Sequence, residues 1–383
     1  MKRLSLLLAA ALIALGASSY LISPSTILVN PGTSLQAAVN AFVSSGGTGG
    51  VLQLGPGTYT QTGPLRLPTY PPISIIGVGN YSTTIDFSGA PADSDLIIVN
   101  SGSTTLQHFR VVGCGSSGLG KGIVLTRGPS GSSYNLIDDV QVYNSPSWAL
   151  YVCGLDEVAG APYYGVSLYP PFRWNVTNCA FDNCSNAATG NIYLGNQVAL
   201  GNIRGCHIGV SNGIGIFMNT VDAVNVDACA IEGTGTVGAY LKSTRNVHFN
   251  NCWFEFTPVS VDTADYRIKV VGAKFPGQGA TGTTVENTFF VTGYKYLRAV
   301  MDSSYTVNSQ NYGTRVTNCW GIIGGAAGSD TTYVDGNSIY FSDSTHAGIV
   351  DGGGVVDQKV IRKGYPWGVR MNAYSKVTTP VVH

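Results

Sequence analysis

The chain has 383 residues, of which 11% are charged and 50 are glycine, and its formal net charge at pH 7 is zero. This composition is typical of a strand-rich solenoid and argues against an α/β enzyme. Without a basic stripe the chain is not expected to bind nucleic acid. Length alone suggests two or three domains, but a solenoid core grows along one axis, so one main domain is predicted.

The N-terminus has the pattern of a secretory signal peptide. Lys2 and Arg3 precede an apolar run over residues 4–15, and small residues follow at positions 16–19. We expect cleavage after residues 1–19, a secreted extracellular protein, and no membrane association once the signal is removed. The alternative is a membrane anchor, but the run is shorter than the ~20 apolar residues that a spanning helix needs.

A capping helix is predicted next. Thr33 and Gln36 have capping-box spacing, and Gly46 with Gly47 ends the helical pattern. Apolar residues recur between them at helical spacing: Leu35, Ala38, Val39 and Phe42. An open solenoid end would expose apolar core and unpaired backbone, so we expect this amphipathic helix to cover it.

A six-residue row then recurs along the chain, with apolar or cysteine side chains at its first, fourth and sixth positions, except for Thr288 in the row at Val285 and Gly321 in the row at Val316. Nine rows begin at Ile73, Leu106, Ile137, Val176, Ile203, Val226, Phe249, Val285 and Val316. The shortest step is 23 residues and occurs twice, between Ile203 and Phe249. Such a step leaves no room for two helices of about 10–12 residues, which excludes helical repeats. The rows predict an all-β protein folded as a parallel β-helix.

Three stretches near the start carry a family resemblance: SLQAAV (34–39), VLQLGPGTY (51–59) and IIGVG (75–79). With the coils that follow, they resemble the opening of the pectate-lyase-like superfamily, whose members are right-handed parallel β-helices. The resemblance covers about residues 30–345. It implies a right-handed solenoid with an N-terminal capping α-helix over residues 20–345. It also implies kinship with secreted polysaccharide lyases, polygalacturonases and phage tailspike depolymerases.

The final segment, residues 346–383, contains strand-like pieces without a coil row. We interpret it as a cap for the far end or as a tail that contacts another subunit. The protein is therefore expected to be a monomer or a homotrimer.

Five of the eight cysteines occupy the fourth position of a row, which faces inward: Cys179, Cys206, Cys229, Cys252 and Cys319. Such residues are predicted to be buried thiols that act as small hydrophobes. Disulfides between neighbouring coils remain an alternative, because adjacent strands lie ~4.8 Å apart. Cys114, Cys153 and Cys184 lie outside the row position, and a bridge among them stays open.

In the resembled family, substrate lies in a groove over one parallel sheet, which corresponds here to a second set of short strands. We align these strands at residues 123–125, 150–152, 192–194, 216–218, 239–241 and 259–261. Alternation then predicts four outward aromatic residues for substrate binding, Tyr151, Tyr193, Phe217 and Tyr240, with Asn219 two positions along. The alternative is an aromatic ladder that only stiffens the sheet.

Charged side chains are scarce in this chain but are concentrated at residues 220–270. The predicted catalytic residues are Lys242, Asp262, Glu232 and Arg245. A glycosidase needs two carboxylates, whereas a lyase needs a base and a positive group to neutralise a uronate carboxylate. An ordinary salt-bridged surface is the competing interpretation.

The strict motifs of the resembled family are absent. Arg267-Ile268-Lys269 resembles the Arg-Ile-Lys of polygalacturonases, but their paired aspartates and Gly-His-Gly are missing, as are the calcium carboxylates of pectate lyases. Neither a metal nor a cofactor is therefore predicted. The expected partner is an extracellular polysaccharide, met either by an enzyme or by a non-catalytic structural or adhesive component, such as a tailspike-like or cell-surface fibre.

Overall fold

The structure is a computed structural model. It describes residues 20–23, 26–46, 48–115, 118–126, 133–153, 171–184, 189–195, 197–235, 237–255, 266–271, 282–292, 298–303, 312–317, 319–323, 332–335, 339–341, 347–351, 361–362 and 369–371. The predicted signal peptide and Asp262 lie outside these residues. The chain divides into two compact units, Met1–Asn186 and Ala187–His383.

The described part of the first unit consists of one helix and a series of short strands. They are β1 (Tyr20–Ser23), β2 (Thr26–Val29), α1 (Leu35–Ser44), β3 (Gly50–Leu54), β4 (Gly57–Thr60), β5 (Leu65–Leu67), β6 (Ile73–Ile76), β7 (Thr83–Asp86), β8 (Ile97–Val99), β9 (Thr105–Val112), β10 (Ile123–Thr126), β11 (Leu136–Tyr143), β12 (Leu150–Cys153), β13 (Asn175–Thr177) and β14 (Ala180–Cys184).

The described part of the second unit consists of strands. They are β15 (Gly190–Gly195), β16 (Ala199–Arg204), β17 (His207–Ser211), β18 (Ile214–Asn219), β19 (Asp222–Asp227), β20 (Ala230–Ile231), β21 (Ala239–Lys242), β22 (Arg245–Asn250), β23 (Trp253–Phe254), β24 (Tyr266–Val271), β25 (Thr284–Glu286), β26 (Phe289–Thr292), β27 (Arg298–Ser303), β28 (Tyr312–Thr317), β29 (Trp320–Ile323), β30 (Thr332–Asp335), β31 (Ile339–Phe341), β32 (Ala347–Asp351), β33 (Ile361–Arg362) and β34 (Val369–Met371).

The described part of the second unit contains three parallel ladders, and each of its first five coils contributes one strand to every ladder. The first ladder pairs β15, β18, β21, β24, β27, β31 and β33 in that order. The second pairs β16, β19, β22, β25, β28, β32 and β34. The third pairs β17, β20, β23, β26 and β29. This arrangement is a parallel β-helix, as predicted.

The first unit has the same construction. Its first ladder pairs β5, β8, β10 and β12 in parallel. The long strands β9 and β11 pair with each other along their whole length and run through a corner of the coil, so each of them serves two ladders. The antiparallel pair β1–β2 stands at the start of this unit.

The capping helix is present, but its first residue differs from the prediction. Ser34, not Thr33, is the N-cap, and its side chain accepts a hydrogen bond from the Ala37 amide at 3.3 Å. Gln36 is used differently, since its side chain bonds to the backbone of Arg66. The apolar face of α1 is fully buried, which accounts for the helical spacing of its apolar residues.

Register between coils confirms the predicted rows from Leu106 to Val176 and from Ile203 to Val316, and it contradicts one row. Ile203, Val226 and Phe249 are in-register neighbours, 23 residues apart in each step. The exception is the row placed at Ile73. Leu106 pairs with Ile75 instead, and Val78, expected inside, is 54% exposed. Neighbouring isoleucines at positions 73, 75 and 76 made two frames compatible with the pattern, and only the pairing decides between them.

One left-handed residue turns the chain between the second and third ladders. The φ angles are 52° at Ala228, 52° at Asn251 and 48° at Asn287, in three successive coils. Asparagine tolerates this conformation because its short side chain can bond locally, whereas alanine does not. The Asn287 amide donates to Asn250 Oδ1 of the preceding coil at 2.9 Å. Asn251 and Asn287, each directly before the fourth residue of a row, are therefore structural corners.

The row cysteines form part of the core. Cys206, Cys229 and Cys252 stand in adjacent coils of the second unit, each 2% exposed. The Cys229 thiol donates to the carbonyl of Ile203, and that of Cys252 to Val226, at 3.6 and 3.4 Å. All eight cysteines are thiols in this structure. Proximity to the Cys206 thiol and burial raise the pKa of Cys229, and burial raises that of Cys252 to about 12.

Parallel pairing continues into the C-terminal segment. β32 pairs with β28, β34 pairs with β32, and β33 pairs with β31. Its role as a cap or as a subunit contact stays a prediction. No helix in the described residues is long and apolar enough to cross a membrane.

The left-handed corner generates a stability prediction. Ala228→Asn should raise the free energy of unfolding by about 0.5–1 kcal/mol, because it relieves part of the ~1–2 kcal/mol cost of a left-handed alanine. Ala230→Asn is the matched control, two residues along in β20, where asparagine is disfavoured in a strand. Chemical denaturation measures both, and equal effects at the two positions would contradict the corner assignment.

The buried thiols generate a second prediction. With a thiol reagent at pH 8, the native protein should show rapid reaction of at most Cys114, the one half-buried cysteine. The other seven cysteines are buried away from the reagent. The pKa values of Cys184, Cys229 and Cys252 are in addition raised, which keeps these three thiols protonated, and the thiolate is the reactive form. Unfolding without reductant should release all eight thiols. A smaller number in the unfolded protein would reveal disulfides.

Candidate functional site: an aromatic and basic face

Three rings stand in register on the outer face of the first ladder of the second unit. Tyr193, Phe217 and Tyr240 are Cα partners in β15, β18 and β21. Their centroids are 5.5 and 5.2 Å apart, with planes tilted by 54° and 50°. The residues on either side of Phe217 and Tyr240 are buried, so these two side chains point away from the core. We call these three residues the aromatic strip.

Tyr193 differs from the other two rings because it is covered. Only 6% of Tyr193 is exposed, whereas Phe217 and Tyr240 are half-buried. Its ring lies against Gly195, where an added Cβ would stand 2.4 Å from the Tyr193 ring. Because Gly195 has no side chain, the Tyr193 ring can lie along its own strand. Tyr193 therefore packs in the strip without being accessible, and the accessible ring surface belongs to Phe217 and Tyr240.

Tyr151, the fourth predicted aromatic residue, belongs to the first unit and is 3% exposed. The Lys121 ammonium lies 4.7 Å from its ring centroid and 3.6 Å from the Asp95 carboxylate. All three side chains are buried, so this tyrosine takes part in a packed ionic cluster. The exposure expected of Tyr151 and Tyr193 in the sequence analysis is not found.

Two lysines continue the strip and make it basic. Lys269 on β24 is the Cα partner of Tyr240, and its ammonium lies 5.2 Å from the Tyr240 ring centroid. Lys242 follows Tyr240 by two residues on the same face of β21 and is half-buried. Asn219, its partner in the preceding coil, is 5% exposed. The face thus combines accessible aromatic surface with two cations.

Lys269 was not among the predicted site residues, because the last strand of the alignment was wrong. The partner of residues 239–241 is residues 268–270, not 259–261. An insertion lengthens this coil, and residues 256–265 lie outside the described part of the chain. Ile268-Lys269-Val270 has the same apolar–outward–apolar pattern as its neighbours, and that signal could have identified it.

The structure does not gather the predicted catalytic residues on one strand. Glu232 follows β20 and stands 3.5 Å from His207 Nε2. Arg245 begins β22 and pairs with Asp222 at 3.1 Å. Lys242 ends β21, and Asp262 lies outside the described residues. Glu232 and Arg245 therefore have ionic partners on the third and second ladders. Within the described residues no group of histidine, cysteine and carboxylate side chains could hold a metal ion.

No protein-family model matches the chain, and no curated protein matches it. Solved structures do. ORF18 of Geobacillus virus E2 superposes with a TM-score of 0.58 at 14% identity, over 89% of this chain and 60% of that protein. The chain thus spans less than two thirds of the virus chain that it matches.

Two further structures are similar at the same level. The catalytic domain of a GH87 α-1,3-glucanase, solved with nigerose, gives a TM-score of 0.57 at 11% identity, over 95% of this chain and 70% of that one. The A-module of the mannuronan C-5 epimerase AlgE4 of Azotobacter vinelandii gives 0.51 at 12% identity, over 91% and 94%. At these identities the likeness shows the fold alone.

The outward direction of Phe217 generates a paired prediction. Phe217→Ala should leave the free energy of unfolding within about 1 kcal/mol of the wild type, because an outward ring leaves no core cavity. Leu241→Ala, which removes a fully buried side chain, should cost roughly 2–5 kcal/mol. Denaturation of both variants measures the difference. If the two losses were equal, the strip would be part of the packed structure and not a binding surface.

Proposed function

We propose that the protein recognises an acidic extracellular polysaccharide along the aromatic strip and its two lysines. The observation that carries the proposal is the continuous outer face of Phe217, Tyr240, Lys269 and Lys242, built by in-register pairing of β18, β21 and β24. Exposed ring surface favours contact with the apolar faces of sugar rings, and ammonium groups favour uronate carboxylates.

Charge argues for an acidic glycan. The chain has 21 basic and 21 acidic residues, so two lysines beside one ring pair are a local feature and not a consequence of overall charge. The fold-level neighbours include proteins named for action on mannuronan and on an α-1,3-glucan. This supports a sugar polymer only by analogy, since one fold hosts many functions.

The proposal includes the wider setting inferred from the sequence. The chain would belong to the pectate-lyase-like superfamily of right-handed β-helices and would be secreted by means of its N-terminal signal. It would act as a monomer or as a homotrimer of the kind suited to a tailspike-like fibre. The likeness in fold to a virus protein supports the fibre only as an analogy.

A lyase is the second candidate, favoured by one observation. Lys242 and Lys269 place two cations beside the strip, and a lyase needs a positive group against the uronate carboxylate before its base removes a proton. The described residues show no pair of carboxylates on this face that would suit a glycosidase. We therefore rank recognition without cleavage as the first candidate function and cleavage by elimination as the second.

Binding should depend on Lys242 through charge. Lys242→Ala should weaken binding of a galacturonate or mannuronate oligomer about fivefold, the loss expected of an exposed ionic contact, and should flatten its dependence on salt. Arg204→Ala is the matched control, since it removes an exposed cation on the second ladder of the same unit. Calorimetric titration at two salt concentrations measures both. Equal losses of affinity in the two variants would show that binding depends only on the overall charge of the protein. That result would contradict a site on the strip.

A separate assay decides between recognition and cleavage. The purified protein is incubated with pectate, alginate and neutral glucans, while reducing ends and the ultraviolet absorbance of unsaturated uronates are followed. Recognition alone predicts bound polymer with neither signal. Absorbance together with reducing ends would establish the lyase, and reducing ends without absorbance would establish a hydrolase and overturn both candidates.

A further inference from the structure

A second pair of stacked rings lies on the third ladder of the second unit, on a different sheet from the aromatic strip. Trp253 on β23 and Phe289 on β26 are in register, with centroids 4.6 Å apart and planes 20° from parallel. The buried residues on either side of Trp253 direct the indole outward, and 38% of Trp253 is exposed. Along the solenoid axis, each flat ring here occupies about the distance between two successive coils.

The same column has a gap on the other side of Trp253. The in-register partner of Trp253 in the preceding coil is Ala230, and the partner of Ala230 is His207. Ala230 points outward, because Cys229 and Ile231 are buried. Among the described residues of this column, a methyl group alone therefore separates His207 from Trp253, whose backbones are two coils or about 10 Å apart. We call this gap the His207–Trp253 slot.

Two glutamates line one side of the slot. Parallel pairing continues to Glu232 and Glu255, whose amides donate to the carbonyls of Ile208 and Ile231, each at 2.9 Å. The two carboxylates thus project from equivalent positions in adjacent coils. Glu232 Oε2 lies 3.5 Å from His207 Nε2, and Trp253 Nε1 donates to Glu255 Oε2 at 3.1 Å. Glu232 therefore contacts His207 at one end of the slot, and Glu255 contacts Trp253 at the other.

We propose that the His207–Trp253 slot binds one uncharged pyranose unit of a glycan. Trp253 and Phe289 stack with their centroids 4.6 Å apart, so the ~10 Å between the backbones of His207 and Trp253 matches the spacing of one further ring on the indole face away from Phe289. Carboxylate oxygens have acceptor capacity beyond the contacts already made, and sugar hydroxyls are donors that suit them. An aromatic wall with a few directed polar groups is the usual composition of a small-molecule site.

Charge sets the ligand class and separates this slot from the aromatic strip. Glu232 and Glu255 would repel a uronate, whereas Lys242 and Lys269 on the first ladder attract one. The nearby guanidinium of Arg204 lies across the corner and pairs with Asp227 at 3.3 Å. In a polymer with both kinds of unit, the acidic units would thus bind to the aromatic strip and the neutral units to the slot. Binding in the slot does not depend on the proposed function and would still be expected if that function were disproved.

Filling the gap tests the proposal without removing any polar group. Ala230→Leu places a branched side chain between His207 and Trp253. Ala180→Leu is the matched control, because Ala180 is the outward residue between a buried cysteine and a buried phenylalanine in the first unit. Calorimetric titration uses cellotetraose, maltotetraose and trigalacturonate as probes, and thermal melts establish that both variants are folded.

One of the two neutral tetramers should bind the wild type and Ala180→Leu alike. Ala230→Leu and Trp253→Ala should each raise its Kd about tenfold or more, the loss expected of a central aromatic anchor. Lys242→Ala should leave this binding unchanged, and trigalacturonate should not compete. Unaltered affinity in Ala230→Leu, loss in Lys242→Ala, or no heat with either neutral tetramer overturns the slot. Competition by trigalacturonate would overturn the assignment of an uncharged ligand.

Discussion

Register between successive coils is the constraint on which this structure depends. A strand of the solenoid buries its inward side chains only against those of the coil before and after it, so each inward position must be matched one coil away. Val226 satisfies this condition through Ile203 and Phe249, both at a step of 23 residues. A one-residue slip would turn the inward side chains outward. The left-handed corner at Ala228, Asn251 and Asn287 maintains the register of these three coils, because it turns each of them at the same place.

The same register decides what the outer faces can do. Outward side chains do not have to pack against a neighbouring coil. Strand pairing nevertheless aligns them into columns as strictly as it aligns the inward side chains of the core. Phe217, Tyr240 and Lys269 become one face because β18, β21 and β24 are in register. On the third ladder, Ala230 becomes a gap for the same reason, since its neighbours in the column carry rings. Chemistry on this scaffold is therefore built from columns, each residue contributed by a separate coil.

Sequence reasoning could predict much of the fold, because inward rows repeat with a short period and the cap has a helical pattern. Its errors occurred where two frames were equally apolar, as around Ile73 and Ile75, and where an insertion hid the next strand, as with Lys269. Burial of Tyr193 was not foreseeable from alternation. It depends on Gly195, whose missing side chain makes room for the ring. An outward position in a strand is thus not the same as an accessible one.

We propose above all that the aromatic strip and its lysines hold an acidic glycan. A crystal structure of the protein with a bound oligouronate tests it most directly. The account predicts sugar rings against Phe217 and Tyr240, running along the first ladder of the second unit, with carboxylates facing Lys242 and Lys269. Well-defined sugar density on another face, with the strip bare, would contradict it.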